Sequence, residues 1–183
     1  MINNAIEQRA EKLLIDSNNF KVPVVPERCA EYLKVTVNNV ELEDSISGFL
    51  AIKDSVAQIG YNQHHGKNRQ RFTIAHEIGH YVLHAQSDPI FIDKNEAKSF
   101  AYLYRDGNSS SGENFKEREA NNFAAALLMP RKLLLEEILK KGQDMGIPAL
   151  VEELAQSFEV SSQAMSIRLS HLNFFNYENA SME

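Results

Sequence analysis

The string His76-Glu77-Ile78-Gly79-His80 constrains this chain more than any other, because a helix carries two histidines four residues apart onto one face. Two imidazoles stacked in that way can each give a nitrogen to one zinc ion, with Glu77 beside them to take a proton from water. A solvated helix with two surface histidines would carry the same five residues, so the surroundings decide. The run from Arg69 to His84 is unbroken by a helix breaker, Asn68 can cap it, and Asp88-Pro89 would stop it. Within that helix Phe72, Ala75, Ile78, Gly79 and Val82 form an apolar stripe, and Thr73, His76, Glu77, His80 and His84 an adjoining polar one. Gly79 costs about 1 kcal/mol relative to alanine inside a helix, which points to close packing of another element there.

Residues 117–130 supply that element. Beyond Asn122 the segment is apolar on every side until Pro130, and a helix of that kind belongs in a core. Its polar start then lies where a third ligand is needed. Glu117 and Glu119 compete for the role. Glu117 shares a face with Ala120, Asn121, Ala124, Leu127 and Leu128, the small-residue side suited to approach Gly79, whereas Glu119 shares its face with Phe123. The face argument favours Glu117, with Glu113 as a weaker third candidate after a Ser-Ser-Ser-Gly loop. Asn121, one turn beyond Glu117, is placed to orient that carboxylate or a histidine.

The two segments, Arg-Phe-Thr-Ile-Ala-His-Glu-Ile-Gly-His-Tyr-Val-Leu-His at 71–84 and Glu-Arg-Glu-Ala-Asn-Asn-Phe-Ala-Ala-Ala-Leu-Leu-Met-Pro at 117–130, resemble the ImmA/IrrE family of metallopeptidases. Weaker likenesses at Val22-Pro23 through Leu33, at Ser47-Gly48-Phe49-Leu50 and at Tyr104-Arg105-Asp106 extend the resemblance over residues 20 to 172. It implies that His76, His80 and Glu117 hold zinc, with manganese or iron as alternatives, and that Glu77 is the general base. It also implies a substrate: a helix-turn-helix transcriptional repressor, cut so that the genes it silences are released, in a mobile-element or stress-response setting. A non-catalytic protein that keeps a structural metal site and inactivates its partner by contact is the alternative.

Length and composition fit one domain over residues 1–183, with 43% hydrophobic and 24% charged residues. We read 1–145 as the core, 146–173 as C-terminal helices and 174–183 as a flexible tail. The N-terminus lacks a signal-peptide layout and no run approaches the roughly 18 apolar residues of a membrane span, so a cytoplasmic protein without a membrane partner is expected. Cys29, the lone cysteine, sits in a short helical pattern and reads as core.

Elsewhere, residues 4–16 read as an amphipathic helix, a second helix follows Pro26, and strands are expected at Val35-Thr-Val, 46–52 and 56–61, with a hairpin turn at Lys53-Asp54-Ser55. Residues 87–115 read as polar and irregular, with a short strand at 99–104 and a mobile Gly-Asn-Ser-Ser-Ser-Gly loop that could act as a lid. Pro130 starts a helix that ends at Gly142, and Pro148 and Ser161 open two more. The expected fold is α+β and zincin-like: a small antiparallel sheet on a helical core, then a helix-turn-helix-like C-terminus. DNA binding by that C-terminus is disfavoured. Residues 161–172 carry only Arg168 and neutral His171, and the net charge is −6. His84 reads as support behind the metal ligands or as cleft lining, His64 and His65 as loop residues, Arg69 and Arg71 as surface or helix-flanking partners, and Tyr61, Tyr104 or Arg105 as possible oxyanion donors.

Overall fold

The computed structural model describes residues 4–85, 90–94, 112–141 and 145–174. Seven helices and four strands occur among them: α1 (Asn4–Asp16), α2 (Pro26–Tyr32), β1 (Val35–Val40), β2 (Ile46–Lys53), β3 (Val56–Asn62), α3 (Lys67–His84), β4 (Ile90–Lys94), α4 (Gly112–Leu128), α5 (Arg131–Lys141), α6 (Ile147–Phe158) and α7 (Ser162–His171). The expected strand at 99–104, the Asp88-Pro89 and Gly142 stops, most of the Gly-Asn-Ser-Ser-Ser-Gly loop and the tail from 175 lie outside the described residues.

The fold is α+β, and its sheet has the order β1-β3-β2-β4. Its pairing corrects the antiparallel expectation in one place. β2 pairs antiparallel with β3 and β4, but β1 lies parallel to β3. Neighbouring strands are about 4.8 Å apart, and the five residues 41–45 are long enough to carry the chain past one empty strand position. β2 therefore starts two places away from β1, and the hairpin returns β3 into the gap. Asn62, fully buried at the end of β3, fixes this crossing by pointing its amide at the carbonyls of Leu42, Glu43 and Ile46 (3.3, 3.1 and 3.0 Å). Asp54 and Ser55 both have positive φ (50° and 65°), and Lys53 pairs with Val56, so the hairpin closes in a two-residue turn of the twist-compatible kind. β4 is a second departure. The stretch read as irregular contains a strand at Ile90–Lys94, and its Ile-Phe-Ile start was the available signal.

α3 lies between the sheet and α4. Against the sheet it is so close that a Cβ on Gly48 would stand 2.4 Å from the Thr73 methyl. Against α4 the contact runs through Gly79, whose added Cβ would meet the Ala120 carbonyl oxygen at 3.0 Å and the Phe123 Cβ at 3.2 Å. Ala120, from the small-residue face of α4, makes the nearest approach to Gly79, and Phe123 borders it from the other side. From Phe123 to Met129 every α4-side residue is buried, which follows from an apolar helix with α1 on its other side. Leu50, Ile59, Ile74, Ile78, Phe123, Leu127 and Leu134 make the centre of the core. α3 begins at Lys67 with Gly66 as its cap, not with Asn68, because the Gly66 carbonyl accepts from the amides of Arg69 and Gln70 (2.9 and 3.0 Å). Cys29 is fully buried beside Asn19, and burial pushes its thiol up, which fits a core role.

The two C-terminal helices pack inward. Ser161 caps α7 by accepting from the Ala164 amide at 3.1 Å, and Met165 and Leu169 are buried. Arg168 is 6% exposed, forks onto the Glu7 carboxylate at 2.6 and 2.9 Å, and donates to the Met129 carbonyl at 3.1 Å. The exposed positions of α7 are Ser162, Gln163, Ser166 and Ser170, none of them charged. No helix of the described residues is long and apolar enough to cross a membrane.

Candidate metal centre

His76 and His80 leave α3 on successive turns, with ring centroids 4.7 Å apart and planes at 78°. Both are buried, at 2% and 1% exposure, where the start of α4 brings Glu117 against them. Their Nε2 atoms are 3.0 Å apart. The Glu117 carboxylate closes on both, Oε2 at 3.2 Å from His76 Nε2 and Oε1 at 3.1 Å from His80 Nε2. Ligands at about 2.0–2.1 Å from a tetrahedral ion stand roughly 3.3 Å from one another, so this trio of two imidazole nitrogens and one carboxylate fits a small divalent cation. It is also the metal-compatible group found among the described residues.

Tautomer and charge favour the same use. Asn121 Oδ1 lies 3.1 Å from His76 Nδ1, and its amide donates to the Glu117 carbonyl at 2.9 Å. An Nδ1–H held by that oxygen leaves the His76 Nε2 lone pair facing the other two donors. Burial lowers His80 to about 4, so its ring is neutral at physiological pH. Burial alone would raise the Glu117 carboxyl, but hydrogen bonds and charge from His76 and His80 outweigh it and hold the group well below the usual carboxylate range. Glu117 is also the open side of the trio, its side chain 40% exposed against 3% and 1% for the two histidines. A substrate would approach from there.

A pH dependence follows for the metal-free protein. His80 titrates near its ordinary 6.5 when unfolded and near 4 when folded, so its contribution to stability is complete above about 6.5 and is lost as pH falls towards 4. Glu117, also depressed, loses its contribution in the same direction at lower pH. The urea midpoint of chelator-treated protein should fall across that window. A midpoint constant from pH 7 to pH 4 would contradict the assignment.

The remaining sequence candidates are distributed as follows. Glu77 is fully buried in α3 between the two histidines. Glu119 turns away from the trio towards His84, its Oε2 3.6 Å from His84 Nε2. The side chain of Glu113, together with Tyr104 and Arg105, lies outside the described residues. Tyr61 packs half-buried against the core from β3. His64 faces Glu41 at 3.9 Å on the loop before α3. Arg69 donates to Ser47 Oγ at 3.0 Å, and Arg71 donates to the carbonyls of Val24, Phe158 and Glu159, tying α3 to α2 and to the turn before α7. The pairing of His84 with Glu119 was not read from the sequence, although His84 stands one turn past His80 and Glu119 two residues past Glu117.

The family described as IrrE N-terminal-like domain, a peptidase family, matches residues 30–170. No curated protein sequence matches the chain. Among solved structures the chain is similar to a Mycobacterium tuberculosis transcriptional regulator, at 16% identity and a TM-score of 0.62, over 91% of this chain and 46% of that one. The chain thus spans about half the length of that regulator, and the likeness is one of fold.

Proposed function

The chain belongs to the IrrE N-terminal-like peptidase family, and from that premise we propose that it is a zinc-dependent endopeptidase whose substrate is a helix-turn-helix transcriptional repressor. The observation that carries the reading is the convergence of His76 Nε2, His80 Nε2 and the Glu117 carboxylate within 3.0–3.2 Å of one another, with Glu77 buried alongside. His76, His80 and Glu117 would hold the ion. A divalent cation there supplies a Lewis acid that polarises the scissile carbonyl and acidifies water; zinc suits two imidazoles and a carboxylate, and manganese or iron are admissible.

The chain's own residues do the rest. Glu77 takes a proton from the attacking water as its oxygen bonds to the carbonyl carbon, and passes that proton to the leaving nitrogen as the C–N bond breaks. Asn121 keeps His76 turned towards the other donors. β4, at one edge of the sheet among the described residues, is where an extended peptide could lie as an added strand. The choice of repressor as substrate rests on the family resemblance, and a cationic DNA-binding domain would be drawn to a chain of net charge −6.

The test combines metal content with cleavage. Purified protein should carry one equivalent of zinc or a related ion, and His80→Ala should lose it. A repressor encoded beside this chain should be cut by the metal-loaded protein, spared after chelation, and cut again when zinc is returned. Cleavage that survives complete removal of metal would contradict the proposal.

A further inference from the structure

His84 lies one turn beyond His80 in α3, 8% exposed, with its ring centroid 5.7 Å from that of His80. It is held on two sides. Its Nε2 is 3.6 Å from Glu119 Oε2, and a hydrogen bond joins its ring to the Lys116 backbone carbonyl. Lys116 and Glu119 flank Glu117 in the first turns of α4, and Asn121 takes the next carbonyl, that of Glu117 itself. The peptide groups before and after Glu117 are therefore each gripped by a side chain, one from α3 and one from α4.

The consequence concerns which carboxylate reaches the histidines. Glu117 is 40% exposed, in the second turn of α4 where none of residues 115–119 is buried, and Glu119 is a second carboxylate two residues away. Without a tether this part of α4, ahead of the buried Ala120, could rotate or fray, since the ends of a helix are its least constrained part.

We propose that His84 is a positioning residue for the metal centre: by binding the Lys116 carbonyl and engaging Glu119 it sets the rotation of the α4 start that presents Glu117, and not Glu119, to His76 and His80. This rests on the metal reading above. Its action runs through Glu117 alone, which separates it from a general packing role.

The experiment measures zinc affinity by competition with a chromophoric chelator, on the full chain, for wild type and for His84→Phe, which keeps ring volume but has no hydrogen-bonding atom. A 10- to 100-fold weaker Kd is expected, as for other groups that orient a metal ligand. His84→Gln, which retains an N–H donor, should recover most of the loss. In a Glu117→Gln background, where two imidazoles still bind zinc weakly, His84→Phe should cost nothing further. Should phenylalanine prevent folding, His84→Asn, too short to reach the Lys116 carbonyl, carries the same expectation. A Kd within twofold of wild type, or an equal loss in the presence and absence of Glu117, would overturn the inference. A wild-type chain that binds no zinc, with His80→Ala indistinguishable from it, would instead overturn the metal reading itself.

Discussion

Glu77→Gln should leave the metal content unchanged and lower peptide cleavage by about 10²–10⁴-fold, the usual contribution of a positioned general base. The substitution is nearly isosteric at a fully buried position and touches none of the three converging donors, so the fold and the metal site should persist. What disappears is the group that accepts the proton from water and returns it to the leaving nitrogen. Derepression should be lost in parallel with cleavage, as followed by intact-mass analysis of the repressor and by a reporter for the genes it silences. If derepression persisted in the Glu77→Gln variant while the repressor stayed intact, the chain would act by contact instead of hydrolysis, the alternative that its sequence also admits; cleavage that persisted at the wild-type rate would show that Glu77 is not the general base.

Arg168→Ala should produce the largest loss of stability. Removing one partner of a buried ion pair leaves the other without compensation and costs about 3–5 kcal/mol. Here Glu7 is 22% exposed and keeps some hydration, so the lower end applies, about 3 kcal/mol by urea denaturation. The Met129 carbonyl loses its donor as well. Arg168→Lys should recover only part of this, because an ammonium cannot reproduce the fork on the carboxylate. The same variant bears on DNA binding. A phosphate-contacting arginine would be replaceable without loss of stability, whereas Arg168 is the bolt between α7, α1 and the end of α4. With its one arginine turned inward, α7 presents no exposed lysine or arginine to a phosphate backbone.

The legible parts of the fold were those set by local periodicity. α1, α2, the hairpin strands, the motif helix and the capped C-terminal helices all follow from apolar spacing, prolines and a serine cap. Gly79 announced a helix contact, because a glycine retained inside a helix asks for a neighbour in the space of its missing Cβ, and the Ala120 backbone occupies that space. The parallel seat of β1 was not legible, since register and strand order depend on how a five-residue loop crosses the sheet, which periodicity does not encode. β4 was masked by the polar residues on either side of a short apolar run. At the site, face-sharing on α4 pointed to Glu117 and Asn121, but it could not show that Glu119 has His84 to answer to. The inward fork of Arg168 was equally hidden: its partner Glu7 is far away in sequence, and no local rule links the two.

In the proposed metal site Glu117, and not Glu119, joins His76 and His80. Cobalt titration of the metal-free protein, read from the visible absorption of the bound ion, compares Glu117→Gln with Glu119→Gln directly. Wild type should saturate at one equivalent, Glu117→Gln should show a large loss of affinity with a changed spectrum, and Glu119→Gln a smaller loss with the wild-type spectrum. The reverse order, or a Glu117→Gln protein that binds cobalt as tightly and with the same spectrum as wild type, would contradict this assignment.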